Sequence, residues 1–230
     1  MELTAVIFDL FGTLVNDFAS PGATLHMEKM AAALGAPSEQ FKSLWAQTTQ
    51  MRIIGDFETV EANLEYVCRS MSISPAFEQI RHAVEIRMQH VRQALQPRPD
   101  AVETLSHLKD TGFRTGLLSN CSIEIPILWV ETAFAGLIES AIFSSRERLK
   151  KPDPQIYHLA CERLGVLPES CLYIADGENY ELSAAAKVGL HPVLLRNSPR
   201  DNSRDLLREA REWQGPTIAN LMEIVERVRK

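Results

Sequence analysis

The sequence has little that would attract a polyanion. Its 24 lysines and arginines are outnumbered by 30 aspartates and glutamates, the formal net charge is −6, and no block of basic residues interrupts the chain. Binding to nucleic acid or to an anionic membrane surface relies on basic patches, so neither kind of partner is predicted. An anionic small-molecule substrate must therefore be captured by a local arrangement of residues.

Long apolar runs and targeting signals are also absent. No stretch reaches the ~18 apolar residues typical of a membrane-spanning helix, and the first residues, MELTAVIFDLFGTLV, lack the basic flank and cleavage site of a signal peptide. The four cysteines show neither CxxC spacing nor nearby paired histidines, which disfavours a zinc site. We therefore predict a cytoplasmic protein with reduced thiols, either a monomer or a homodimer.

Short apolar runs recur along the chain and predict a parallel sheet. Each run is apolar at consecutive positions, which is typical of strands covered on both faces. The runs occupy residues 5–8, 114–118, 141–143, 172–175 and 192–195. Helical patterns that end at glycine occupy residues 98–112, 154–165 and 180–189. This alternation of strands and helices predicts an open fold of the α/β class.

Residues 21–95 interrupt the alternation. Four helical patterns follow one another there without a convincing strand. They occupy residues 24–34, 39–51, 59–71 and 76–95. We interpret the segment as a small α-helical cap inserted after the first strand, which predicts a core domain of residues 1–16 and 97–230 and a cap domain of residues 17–96.

Polar residues stand where the predicted strands end. Asp9 follows the first strand, and Gly12 after it lets the backbone turn so that amide groups face an anion. Ser119 follows the second strand, Asp176 follows the run at 172–175, and Lys151 precedes a helix. Because open α/β sheets bind ligands at the carboxyl ends of their strands, these residues predict a single site.

The ordered set of motifs resembles the haloacid dehalogenase superfamily. The four matching motifs are Asp9-Leu-Phe-Gly-Thr-Leu14, Ser119-Asn120, Lys151-Pro152-Asp153 and Asp176-Gly-Glu-Asn-Tyr-Glu181. The match spans nearly the whole chain and includes the helical cap between the first two motifs. It implies a Rossmann-like, doubly wound core and a hydrolase that forms a transient aspartyl ester.

The resemblance also implies roles for single residues. Asp9 would be the nucleophile, and Ser119 and Lys151 would bind anionic oxygens of the substrate. The residues predicted to bind substrate are Gly12, Thr13, Asn120 and Arg52. The predicted Mg²⁺ ligands are Asp9, the backbone carbonyl of Phe11, Asp176 and Glu181. Magnesium suits such an oxygen-rich set because a cation offsets the repulsion between carboxylates and a phosphoryl group.

Phe11 departs from the pattern of most phosphatases that resemble this protein. They have a second aspartate at this position as a general acid, which is typically worth ~10²–10⁴-fold in rate. The haloacid dehalogenases have an aromatic residue here and expel a halide that needs no proton. Their fourth motif, however, usually reads Ser-Ser-Asn, and they work without metal. The carboxylates of the fourth motif therefore favour a magnesium-dependent phosphatase for a small phosphorylated metabolite over a 2-haloacid dehalogenase.

Two further interpretations stay open. The absence of an acid at Phe11 also fits a catalytically weak family member that binds a metabolite. Within the cap, Arg52 is the only arginine before Arg69, which makes it a candidate for binding a substrate carboxylate or phosphate. A solvated arginine at the end of a helix explains Arg52 equally well.

Overall fold

The computed structural model describes residues 2–16, 23–196 and 208–228, which contain one six-stranded sheet. Its strands are β1 (Ala5–Phe8), β2 (Arg114–Ser119), β3 (Ser140–Phe143), β4 (Cys171–Ala175), β5 (His191–Leu195) and β6 (Thr217–Ile218). They lie in the order β3-β2-β1-β4-β5-β6, and each neighbouring pair is parallel. The predicted α/β class is confirmed. The two-residue strand β6 was not predicted because it is too short to show a periodicity.

Helices cover both faces of the sheet. The first five are α1 (Ala23–Leu34), α2 (Ser38–Gln47), α3 (Thr49–Ile53), α4 (Val60–Ser70) and α5 (Phe77–Ala94). The others are α6 (Ala101–Asp110), α7 (Glu124–Leu128), α8 (Ser144–Glu147), α9 (Pro154–Leu164), α10 (Glu181–Lys187), α11 (Arg208–Glu212) and α12 (Met222–Val228). Within the described ranges, none of these helices is both long and apolar enough to cross a membrane.

The packing of β1 explains its unbroken apolar sequence. All four of its residues are fully buried. Val6 and Phe8 join the apolar cluster covered by α6 and α12, whereas Ala5 and Ile7 join the cluster covered by α9 and α10. Because successive side chains of a strand point to opposite faces, a strand between two helical layers must be apolar at every position. This confirms the doubly wound, Rossmann-like core.

Helices α1–α5 form the cap and enclose a third apolar cluster, which includes Trp45. The prediction of a single helix over residues 39–51 was wrong. The backbone leaves the helical region at Thr48, where ψ is 3°, and the Thr48 hydroxyl donates a hydrogen bond to the Trp45 carbonyl at 2.9 Å. Such local bonds from threonine compete with the helical hydrogen-bond ladder, so α2 and α3 are separate helices.

The division into a core of residues 1–16 and 97–230 and a cap of residues 17–96 stays a prediction. Residues 1, 17–22, 197–207 and 229–230, which fall within these predicted domains, lie outside the described residues.

The cap contacts the core through α3 and α5. The Ser144 hydroxyl at the start of α8 donates to the carbonyl of Ile53 at the end of α3, at 2.7 Å. Arg87 of α5 donates through Nε to Glu124 of α7 at 2.5 Å, and both side chains are buried. A hydrogen bond and a buried ion pair therefore hold the cap against α7 and α8, the short helices that follow β2 and β3.

Gly55, which follows α3, tests how tightly the cap is seated. Its φ is +78°, and a Cβ at this position would overlap the carbonyl oxygen of Ser145 in the core. Gly112 has a φ of +84°, but a Cβ there would meet no described atom within 4 Å, so Gly112→Ala carries the backbone penalty alone. We expect Gly55→Ala to lower the free energy of unfolding by about 1–3 kcal/mol more than Gly112→Ala, as measured by urea denaturation. Equal losses would show that the cap is not seated on Ser145.

Candidate active site

The carboxyl edge of the sheet gathers the polar residues of the site. Asp9 directly follows β1, Ser119 ends β2 and Asp176 directly follows β4. Because β2, β1 and β4 are adjacent and parallel, these three residues must lie side by side. Lys151 reaches the same edge from the loop before α9, and this helix begins with Pro154 as its first residue and the Asp153 side chain as its N-cap.

Lys151 is the centre of the site. Its buried ammonium group donates to Asp9 Oδ1 at 2.5 Å, to Glu181 Oε2 at 2.6 Å and to the hydroxyl of Tyr173 at 3.1 Å. Burial alone would lower the pKa of Lys151, but the charges of Asp9 and Glu181 raise it above its ordinary value. Lys151 therefore stays protonated and bridges the predicted nucleophile to the fourth motif.

Asn120 holds the backbone of Lys151. Its side-chain amide donates to the Lys151 carbonyl at 3.0 Å, and its side-chain oxygen accepts from the Lys151 N–H at 2.8 Å. Both ends of the amide are thus engaged by protein. In the structure the Asn120 side chain positions Lys151, and its predicted contact with substrate stays a prediction.

Asp9 is held at both oxygens. Oδ1 accepts from Lys151, and Oδ2 accepts from the hydroxyl of Thr13 at 3.1 Å. Burial raises the pKa of Asp9 to about 6, against the lowering effect of Lys151. The hydroxyl of Thr13 thus orients the carboxylate of Asp9, and substrate binding by Thr13 stays a prediction.

Three buried carboxylates converge beside Lys151. Asp9, Asp176 and Glu181 each present an oxygen within 4.8 Å of the others. Burial, followed by the charges of Glu181 and Asp9, raises the pKa of Asp176 well above its ordinary value. One ammonium faces three carboxylates, so the fully ionised cluster has an excess of two negative charges. A small divalent cation with a preference for oxygen ligands fits this donor set.

Gly12 makes the approach of Asp176 possible. Its φ is +78°, and a Cβ here would overlap the Asp176 carboxylate. Glycine is therefore required both by the backbone conformation and by the closeness of the third carboxylate. Its predicted role in substrate binding stays a prediction, as does metal ligation by the carbonyl of Phe11, whose side chain packs partly buried against the core.

Ser119 presents a buried hydroxyl without a strong hydrogen-bond partner. The residue is fully buried, and among the residues that the structure describes only the thiol of Cys121, a weak hydrogen-bonding group, acts as a partner of its Oγ. A buried hydroxyl that lacks a strong partner is destabilising. This is the arrangement expected of a group that a ligand oxygen satisfies.

Arg52 makes its contacts within the cap. Its guanidinium lies 4.2 Å from the centre of the Trp45 ring and donates to the Trp45 carbonyl at 2.7 Å and to Thr48 and Thr49 hydroxyls at 2.5 and 3.0 Å. Burial, then repulsion by Arg87, lowers the pKa of Arg52 to about 9. The structure therefore does not bring Arg52 into hydrogen-bond contact with the Asp9 cluster, and its predicted substrate contact stays a prediction.

Two residues of the site gave no signal in the sequence. Tyr173 looks like any aromatic residue of a buried strand. Glu209 of α11 accepts from the backbone N–H groups of Leu182 and Ser183 at 2.9 and 2.7 Å, which caps α10 directly after Glu181. No spacing rule links Glu209 to the fourth motif, because only tertiary packing brings α11 to the start of α10.

Comparisons with known proteins place this geometry in context. A family model described as haloacid dehalogenase-like hydrolase matches residues 3–189. The chain is 27% identical to (S)-2-haloacid dehalogenase 4A of Burkholderia cepacia, over 84% of the chain and 83% of that protein. It is also 27% identical to a phosphatase of Mycobacterium tuberculosis, over 86% of the chain and 89% of that protein. The L-2-haloacid dehalogenase of Xanthobacter autotrophicus has a similar fold, with a TM-score of 0.62 and 20% identity. The match covers 99% of the present chain and 98% of the dehalogenase chain.

The weakly bonded hydroxyl of Ser119 provides a test of the site. We expect Ser119→Ala to leave the melting temperature unchanged or raised, because the hydroxyl that is lost has only the Cys121 thiol as a partner among the described residues. KM for an anionic substrate should rise by about 10-fold or more, since hydrogen bonds to charged groups are worth about 1.5–3 kcal/mol. Ser145→Ala, which removes a second buried hydroxyl beside the same thiol, is the control and should leave KM unchanged. A destabilised Ser119→Ala with normal KM would show a purely structural role.

Proposed function

This chain belongs to the haloacid dehalogenase-like hydrolases, and we propose that it is a magnesium-dependent phosphatase for a small phosphorylated metabolite, with Asp9 as its nucleophile. The observation that carries the proposal is that the carboxylates of Asp9, Asp176 and Glu181 lie within 4.8 Å of one another, while a single ammonium group pairs with two of them. A phosphoryl group would add further negative charge to a buried site that already has an excess of it. Such a site becomes an anion-binding site only when a cation joins it.

The residues that would hold Mg²⁺ are Asp9, Asp176 and the carbonyl of Phe11, with Glu181 beside them. Bound there, the ion would offset the charge of the carboxylates and of the phosphoryl oxygens. Glu181 is already engaged by Lys151, by Tyr173 and, through Oε1, by the Glu178 N–H at 3.1 Å. It is therefore the least free of the three carboxylates to reach an ion.

The chain's own residues perform the two displacements. In the first, an oxygen of Asp9 forms a bond to phosphorus, the bond to the leaving oxygen breaks, and that oxygen takes a proton from water. Lys151 keeps Asp9 aligned, and Ser119 donates its hydroxyl to a phosphoryl oxygen. In the second, water attacks phosphorus and releases Asp9 and inorganic phosphate. Because Phe11 supplies no acid, good leaving groups should react faster than alkoxides.

A 2-haloacid dehalogenase is the second candidate, and Phe11 is the observation that favours it. A halide leaves without a proton, so an aromatic side chain at this position costs the reaction nothing. The similarity to (S)-2-haloacid dehalogenase 4A supports the same interpretation. In this reaction Asp9 would attack the carbon that carries the halogen, displace the halide and be released as water hydrolyses the ester. Against it, the three carboxylates would repel the anion of a haloacid.

A substrate screen separates these functions. Phosphate monoesters and 2-chloropropionate are incubated with the protein, with Mg²⁺ or with a chelator, and release of phosphate or chloride is measured. We expect phosphate release that the chelator abolishes, and in Asp176→Asn a Mg²⁺ requirement raised at least roughly tenfold. Chloride release that is indifferent to the chelator would establish the dehalogenase instead. Release of neither product would leave a metabolite-binding family member.

Asp9→Asn tests the nucleophile. The amide nearly matches the carboxylate in shape but cannot form the ester, so kcat should fall on the order of 10⁴-fold. Asp110→Asn, which makes the same change at an exposed position at the end of α6, is the control and should keep the wild-type kcat. Circular dichroism checks the fold of both variants. Wild-type turnover in Asp9→Asn would exclude the covalent mechanism.

A further inference from the structure

Tyr173 joins the two halves of the site through its hydroxyl. The residue lies in the middle of β4 and is fully buried. Its hydroxyl donates to Glu181 Oε2 at 2.7 Å and accepts from the Lys151 ammonium at 3.1 Å. The core does not require this hydroxyl, because the ring alone would fill the position in the apolar cluster beneath α9 and α10. Burying a hydroxyl in an apolar cluster costs free energy unless the hydroxyl forms hydrogen bonds, so its role lies in the bonds it makes.

The ammonium group of Lys151 has three N–H donors, and each has an acceptor. The acceptors are Asp9 Oδ1, Glu181 Oε2 and the Tyr173 hydroxyl. An ammonium group with three separate acceptors is fixed in rotation about its carbon–nitrogen bond. Removing one acceptor leaves a buried charge partly unsatisfied and lets the group rotate or shift towards another oxygen.

From this arrangement we propose that Tyr173 is a positioning residue, which holds the Lys151 ammonium in the orientation that aligns Asp9 for attack. The proposal rests on the assignment of Asp9 as nucleophile, but not on whether phosphate or halide is displaced. The Tyr173 hydroxyl bonds to Lys151 and Glu181, so it acts on Asp9 through Lys151.

Tyr157 offers a matched control. It is also fully buried, and its ring meets that of Tyr173 edge to face with centroids 5.6 Å apart. Its hydroxyl donates one hydrogen bond of 3.0 Å, but to the backbone carbonyl of Glu181. Tyr157→Phe therefore removes a buried hydroxyl of the same kind without removing an acceptor of the Lys151 ammonium.

The first experiment observes the ammonium directly and needs no substrate. Proton–nitrogen correlation spectra of ¹⁵N-labelled protein at low temperature detect lysine ammonium groups whose protons are protected from exchange, and Lys151→Met identifies the signal of Lys151. We expect this signal in the wild type and in Tyr157→Phe. In Tyr173→Phe its proton exchange should be at least about 10-fold faster, or the signal should disappear. An unchanged signal in Tyr173→Phe, or no signal in the wild type, would overturn the proposal.

The second experiment measures the consequence for turnover on the substrate identified by the screen. A small misalignment of reacting groups can cost up to ~10²-fold in rate, so Tyr173→Phe should lower kcat by at least about 10-fold while KM changes by less than about threefold. Tyr157→Phe should keep kcat within about twofold. Wild-type kcat in a folded Tyr173→Phe would overturn the proposal, whichever substrate the enzyme uses.

A chemical rescue keeps the test informative if Tyr173→Phe does not fold. Incorporation of p-aminophenylalanine at position 173 places an amine, which can both donate and accept, where the hydroxyl was. This variant should restore the Lys151 signal and bring kcat within about threefold of the wild type. A folded variant that restores neither would contradict the proposal. Because the spectra require no turnover, failure of the phosphatase assignment would not be confused with failure of the role of Tyr173.

Discussion

The structure depends on a buried lysine that must be fully compensated. Removing the partner of a buried charge typically costs about 3–5 kcal/mol, so the burial of Lys151 depends on the carboxylates of Asp9 and Glu181. Tyr173 supplies the third acceptor of its ammonium group, and each of the three partners lies in, or directly after, a different element of the fold. Asn120 adds two hydrogen bonds to the backbone of the lysine.

The parallel sheet provides the geometry that this compensation requires. Strands β2, β1 and β4 run side by side in the same direction, so the residues that follow them meet at one edge. The turn after β1 must contain glycine, because Gly12 lies against the Asp176 carboxylate. At the other end of the site, Glu209 caps α10 and thereby holds the helix on which Glu181 stands. Local turns and one distant helix together set the distances between the carboxylates.

Charge also organises the boundary between cap and core. Burial would raise the pKa of Glu124, but Arg87 brings it below its ordinary value, so the pair between cap and core is ionic. Arg52 and Arg87 both lie over Trp45, with ring-centre distances of 4.2 and 5.5 Å. The cap thus places the guanidinium group of Arg52 and the ion pair of Arg87 with Glu124 near this boundary.

The sequence by itself determined the parallel sheet, the helical cap and the residues at the strand ends, because strand burial, helix periodicity and turn chemistry are local properties of the chain. Asp9, Lys151, Asp176 and Glu181 were predicted, and the structure brings them together. Tertiary structure alone decided that Asn120 and Thr13 position other residues, that Arg52 binds within the cap and that Tyr173 completes the shell around Lys151. These outcomes depend on hydrogen bonds between segments far apart in the chain, and which donor meets which acceptor there is settled only by packing.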